Sequence, residues 1–189
     1  MKSEVRKALQ EITGNKATGV DELPVEPIKS AGEEAVTALT ELCQQIWKSD
    51  LWSQEWRRSL FSPLPRKEDL RLCSNYRTIA LIPHASKILL RIIEGRLATC
   101  IEREISDEQG GFRKGRGTRD QIANIRRILE RAREYGKTIY MCFVDYSKSF
   151  NCVDHSRLWN ALRSMGLPEH LIVLIKIVLT LWPWKWTFK

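Results

Sequence analysis

From about Ala85 to Ile105 the chain repeats apolar side chains at helical spacing: Ile88, Leu89, Ile92, Ile93, Leu97, Ile101 and Ile105 form one long stripe. Glu33 to Lys48 carries a second such pattern through Val36, Leu39, Leu42, Cys43, Ile46 and Trp47. A third runs near Asp120 to Glu134 through Ile122, Ile125, Ile128, Leu129 and Ala132. Ser156 to Met165 reads as a short helix stopped by Gly166 and Pro168, followed by a last apolar helix from Glu169 to Leu181. The helical text breaks at Leu60-Phe61-Ser62-Pro63-Leu64-Pro65, because two prolines exclude a helix and leave an extended or edge strand. Tyr76 to Ile82 is its expected hairpin partner, across the polar loop Lys67 to Asn75. Thr138 to Val144, β-branched and aromatic and apolar throughout, is the clearest expected strand, and it ends on Asp145. This succession predicts an α+β fold, helix-rich with a small antiparallel sheet.

With 43% hydrophobic and 29% charged residues over 189 positions, the composition is that of a globular domain. The most apolar window, Leu171 to Trp182, is twelve residues long and includes Lys176. A membrane span needs about 18–20 apolar residues, so none is expected. The start, Met1-Lys2-Ser3-Glu4, lacks the apolar core of a secretory signal. The five cysteines form no C-x-x-C pair, which fits a reducing compartment, nucleus or cytoplasm, and not a secreted protein. The net charge of +8 is uneven: residues 1–56 carry −4, 57–133 carry +9 and 134–189 carry +3. An arginine-rich middle fits either a polyanion-facing surface or a solvated helix face.

Few residue groups suggest chemistry. The loop Gly110 to Thr118 holds four glycines with Arg113, Lys114 and Arg116, and Arg119 follows it. It fails the G-x-x-x-x-G-K-[ST] pattern, since Arg116 and Gly117 follow Gly115, so an NTPase is not expected. A backbone grip on nucleic acid and a solvated interhelical turn both remain open for it. Cys152 and His155, with Cys142 ten residues upstream of the former, lack the second ligand pair of a structural zinc site. The three histidines are scattered and give no Cys–His nucleophile. Asp145 opens the run Asp145-Tyr146-Ser147-Lys148-Ser149-Phe150-Asn151 at a strand end, where a carboxylate is paired, metal-bound or turn-forming.

Four runs in order then resemble one family. Lys16-Ala17-Thr18-Gly19-Val20-Asp21-Glu22-Leu23-Pro24 resembles the K-A-x-G-x-D-x-x-P opening of retroelement reverse transcriptases. Leu64-Pro65-Arg66-Lys67, with Asn75-Tyr76-Arg77-Thr78-Ile79-Ala80-Leu81, resembles their fingers hairpin. Gln109-Gly110-Gly111-Phe112-Arg113-Lys114-Gly115-Arg116 resembles Q-x-G-F-x-x-G-R, and Phe143 to Asn151 resembles palm motif A, F-x-D-x-x-K-A-F-D. The match spans about residues 4 to 180, and its flavour is the LINE-type, non-long-terminal-repeat retrotransposon polymerase.

The resemblance implies the fingers and partial palm of a right-hand polymerase, with residues 1–135 fingers-like, including an N-terminal helical segment. Residues 136–181 would be a partial palm and 182–189 a tail outside the family pattern. The implied reaction is RNA-templated DNA synthesis from a DNA primer and dNTPs with two Mg²⁺. By this resemblance Asp145 bridges the metals and the Tyr146 carbonyl assists. Phe150 is the steric gate, and Arg66 (commonly Lys) and Arg77 clamp the triphosphate. Gln109, Gly111, Phe112, Arg113, Lys114 and Arg116 border the template.

The sequence also departs from the family. Ser149, Asn151 and Thr78 replace Ala, Asp and Pro, and no Asp-Asp pair of a [YF]-x-D-D motif occurs in the 189 residues. The R-Q-G-C-P-L-S-P run is also absent, and Leu181-Trp182-Pro183-Trp184-Lys185-Trp186 reads like a shifted frame or premature end. A single palm carboxylate does not hold two Mg²⁺, so the chain as written is expected to be inactive. If the palm sheet pairs the motif A strand with strands carrying the absent motif, Thr138 to Val144 is left as an apolar edge. The alternatives are a non-catalytic RNA-binding remnant and a polymerase whose remaining palm lies on a longer product.

Overall fold

The structure, a computed structural model, describes residues 1–65, 69–146 and 152–181. Three helices build the core. α1 (Lys2–Glu11) buries Val5, Ala8 and Leu9, three and four residues apart and therefore on one face. α3 (Gly32–Ser49) buries Val36, Leu39, Thr40, Cys43 and Ile46, and α4 (His84–Ile101) buries Ile88, Leu89, Ile92 and Ile93. α1 lies against both α3 and α4. The short α2 (Val25–Ser30) adds Val25 to this core, and Trp52 and Trp56 close it after α3. In this environment the Cys43 thiol is pushed up to about 11 by burial.

One polar contact ties the ends of this core together. Arg96 of α4 donates from Nε and Nη2 to the two carboxylate oxygens of Glu4, each at 2.8 Å. Its guanidinium also sits 4.1 Å from the centre of the Trp47 ring. The Arg96 hydrogen bonds hold the Glu4 carboxyl at about 2, far below its usual value.

The break between α3 and α4 is the expected hairpin. β1 (Leu60–Pro65) pairs antiparallel with β2 (Tyr76–Leu81), from Leu60 opposite Leu81 to Pro65 opposite Tyr76. Prolines fit here because β1 has one neighbour strand only, so their missing N–H groups face away from the ladder. After β2, the Lys16–Pro24 run folds over the turn into α4. A Cβ on Gly19 would stand 2.3 Å from the Pro83 nitrogen and 2.5 Å from the Ile82 carbonyl carbon, so only glycine fits there.

α6 (His155–Ser164) and α7 (Glu169–Leu181) form a helical hairpin. Asp154 caps α6 by accepting from the Arg157 amide at 3.1 Å, Gly166 turns the chain at φ 73°, and Arg163 grips Glu169 with two hydrogen bonds. Leu162, Leu167 and Ile172 make a second small core against Leu97, Cys100 and Ile101 of α4, and Leu174 of α7 reaches the main core.

The α+β reading with a small antiparallel sheet holds, and the helices fall where their periodicity puts them. α4 stops at Ile101 instead of reaching Ile105, because Glu104 and Ile105 close tight turns back onto the Ile101 carbonyl. The larger correction concerns Thr138 to Val144. No strand forms there, and β1 and β2 are the only paired strands among the described residues. A strand needs a ladder partner for its backbone groups, and here none is offered. Tyr140 is 92% exposed, Phe143 78% and Val144 69%.

Candidate nucleic-acid interface

The basic loop hangs between α4 and α5 (Thr118–Glu134). Arg113 is its anchor. Its Nη2 and Nε donate to Glu102 Oε1 at 2.7 and 3.1 Å, and its Nη1 donates to the Ser106 carbonyl at 2.9 Å. With only 9% of its side chain exposed, this guanidinium is committed to holding the loop closed. Arg116 pairs more loosely with Asp107, at 3.4 Å. The Gln109 amide donates to the Gly111 carbonyl at 3.3 Å. Phe112 stands out at φ 59° and 95% exposure, a left-handed backbone that puts a large ring on the surface. Lys114 is exposed beside it.

α5 begins where Gly117 donates its N–H to Asp120 Oδ2 at 2.7 Å, and it ends at Gly136, where Lys137 N–H returns to the Ala132 carbonyl. It presents Arg119, Arg126, Arg127, Arg131 and Arg133 against Asp120, Glu130 and Glu134. No residue of this helix is buried. Arg131 lies 3.7 Å from Glu134, and no other ion pair engages these arginines among the described residues. Loop and helix together therefore offer an exposed array of guanidinium and ammonium groups, the geometry that neutralises a phosphate backbone.

The remaining expected site residues are scattered. Arg77 is exposed on β2 opposite Leu64. Asp145 and Tyr146 end the extended segment in solvent, with no hydrogen bond or ion pair linking Asp145 to Arg77 or to the basic loop among the described residues. Arg66 and Phe150 lie outside the described residues, as do Ser149, Asn151 and the 182–189 tail. Reverse transcriptases generally use Mg²⁺. Among the described residues no three metal-ligating side chains come together, so Asp145 stands as a single carboxylate that does not fit a two-metal site. Asp154, nearest to it in sequence, is spent on the α6 cap.

Sequence patterns did not point to a second basic feature. Lys16, His84, Lys87 and Arg91 line an open cavity of about 410 Å³ where the opening run meets α4. His84 is fully buried, and that burial, with Lys87 beside it, holds its pKa below the usual histidine value. Burial likewise lowers Lys87, while Arg91 is answered by Glu11 at 3.2 Å. Lys16 belongs to the family-like opening run, which was the only available signal. No helix among the described residues is long and apolar enough to cross a membrane.

Comparison with known proteins agrees with the motifs. Residues 65–188 match the family described as Reverse transcriptase (RNA-dependent DNA polymerase). The chain is 28% identical over 92% of its length to the Transposon TX1 uncharacterized 149 kDa protein of Xenopus laevis, covering 13% of that protein. It is 28% identical, again over 92% of its length, to the RNA-directed DNA polymerase from mobile element jockey of Drosophila funebris, covering 19% of it. To the Retrovirus-related Pol polyprotein from type-1 retrotransposable element R2 of Popillia japonica it is 28% identical over 60% of its length and 16% of that protein. The chain thus spans less than a fifth of the length of these relatives. With well over half of its residues inside the family match and its motifs in family order, the chain belongs to the reverse transcriptase (RNA-dependent DNA polymerase) family.

Proposed function

We propose that these 189 residues are the fingers and partial palm of a LINE-type retrotransposon reverse transcriptase, and that on their own they bind nucleic acid without polymerising it. The observation that carries this reading is the match over 65–188, which takes in β2, the basic loop, α5 and the motif A run in one ordered stretch. The exposed cations of the loop and of α5 supply the template grip. Lys114, Arg119, Arg126 and Arg127 are its phosphate-facing groups, with Phe112 offering a ring to an unstacked base. Arg113 serves the same surface indirectly, by fixing the loop through Glu102.

Arg66 and Arg77 are assigned to the triphosphate of an incoming dNTP, Phe150 to exclusion of the ribose 2′-hydroxyl, and Asp145 with the Tyr146 carbonyl to metal binding. Chemistry at that centre needs further carboxylates, which these residues do not contain as an Asp-Asp pair.

Two measurements test the reading. RNA-templated primer extension with Mg²⁺ is expected to yield no product, and an Asp145-dependent product overturns the inactive assignment. RNA binding should weaken steeply with salt. Replacing Arg126 and Arg127 with alanine should lower the slope of that dependence by about 1 per lost phosphate contact. Salt-independent or absent RNA binding sinks the nucleic-acid role.

A further inference from the structure

The basic loop holds two of its arginines in different ways. Arg113 is the locked one: its side chain is 9% exposed and bonds Glu102 at 2.7 and 3.1 Å and the Ser106 carbonyl at 2.9 Å. Arg116 is the loose one, with 39% of its side chain exposed. Its Nη2 donates to Asp107 Oδ1 at 3.4 Å and its Nη1 to the Asp107 carbonyl at 3.3 Å. Charge-assisted hydrogen bonds run at about 2.7–2.9 Å, so this pair is stretched and water competes for both ends of it. The Asp107 side chain is 90% exposed, and the other cation near it, Arg113 Nη1, stands 3.9 Å away.

The surroundings of Arg116 let it move. Gly115 before it has φ 77° and open space where a Cβ would stand, and Gly117 after it leads into α5. Lys114 and Arg119, two of the phosphate-facing cations, lie two and three residues away, so a strand that meets them comes within reach of Arg116. A carboxylate and a phosphate present the same paired oxygens to a guanidinium fork. An RNA backbone also releases bound counterions when it meets several cations at once, a gain that Asp107 does not offer. Glu102 supplies the contrast. It stands at the carbonyl end of α4, where the helix dipole disfavours an anion, and the Arg113 guanidinium offsets that cost. The charge of Glu102 is used to build the loop, and that of Asp107 to occupy it.

We propose that Asp107 occupies the phosphate position on Arg116 in the free chain, and that nucleic acid binds by displacing it. Arg116 is then a further backbone contact, added to Lys114, Arg119, Arg126 and Arg127, and Asp107 is a built-in competitor that restrains the affinity of the loop. One anion replaces another on a single guanidinium, so Arg116 is paired before and after the exchange. The freed Asp107 turns to water, which its exposure allows. The proposal rests on the nucleic-acid role given above and adds what limits it. Such a competitor favours a polyanion that engages several cations together over an isolated anion such as inorganic phosphate.

The experiment is titration of the full 189-residue chain into a fluorophore-labelled single-stranded RNA, at low and at near-physiological salt. Asp107→Asn should tighten binding about threefold, the size expected for removal of one surface ion pair. Arg116→Ala should weaken binding and lower the slope of its salt dependence by about 1. In the R116A background D107N should add nothing, since the competitor then has no guanidinium to occupy. Glu102→Gln removes the same single charge, yet should weaken binding or leave it unchanged, because it unties Arg113. Far-UV circular dichroism checks that each variant keeps its helices, and Asp107→Ser repeats the measurement with a different side chain. Unchanged affinity in D107N and D107S, the same gain with and without Arg116, or an equal gain from E102Q each overturns the proposal while leaving RNA binding standing. Absence of salt-dependent RNA binding in the unmodified chain sinks the nucleic-acid role itself, and this restraint with it.

Discussion

In α3 the apolar stripe Val36, Leu39, Cys43 and Ile46 is at most 8% exposed, whereas in α5 Ile122, Ile128 and Leu129 are 47–51% exposed. Both helices have regular apolar periodicity, of comparable length, and both form. The difference is what each finds to lie against. α3 meets α1 and the tryptophans that follow it, while α5 and the 137–146 segment after it meet no element that buries them among the described residues. A helix satisfies its backbone from within and so survives without a partner, but a strand does not. That asymmetry explains why α5 is present and the neighbouring strand is not.

The comparison can be pressed experimentally, first through hydrogen exchange in dilute solution. Amides of Ile88 to Ile93 should exchange about a thousandfold more slowly than those of Ile139 to Val144, because the former open only with the core. Equal protection of the two segments would erase the contrast. Next, Leu89→Ala, at a fully buried position, should cost about 3–4 kcal/mol in urea denaturation. Ile128→Ala on α5 should stay within about 0.5 kcal/mol. A large cost at Ile128 would reveal packing that the structure does not hold.

Gly19→Ala should destabilise by about 1–3 kcal/mol, since its Cβ would collide with the backbone at Ile82 and Pro83. The same substitution at Gly111, where only the end of Gln109 comes within 4 Å, should be close to neutral. The smallest effect concerns pH. The folded-state pKa of Glu4 is depressed to about 2 from 4.5, so its contribution is fully present above about pH 4.5 and is lost as pH falls toward 2. Glu4→Gln should therefore cost about 1 kcal/mol at pH 7, allowing for solvent around this part-exposed pair, and nothing near pH 2.

How much of this was legible beforehand follows the same division between local and borrowed structure. α3, α5, α6 and α7 lie within two residues of where periodicity and caps put them, and Pro63 and Pro65 mark the hairpin's first strand. These features depend on interactions a few residues apart. Thr138 to Val144 has strand propensity but forms no strand, because propensity describes the fitness of a strand and is silent on whether a partner exists. Arg113 belongs to the run that resembles a template border, and that pattern carries no hint of Glu102, eleven residues back across a turn. The family motifs named Asp145 from its neighbours in sequence, yet the carboxylates that would join it are not a property of those neighbours. The cleft at Lys16, His84 and Lys87 joins residues nearly seventy positions apart, beyond the reach of any local pattern.

The grip of Arg96 on Glu4 spans 92 residues, and it sets a timetable for the nascent chain. Val5, Ala8 and Leu9 leave the ribosome early, but α4, which covers them and carries the clamp, follows about 90 residues later. At translation speeds of about 5–20 residues per second, α1 waits roughly 5–20 s with its apolar face only partly sheltered by α3. During that interval α1 is more in need of a chaperone than the segments made after α4, although in the folded chain its apolar face is buried.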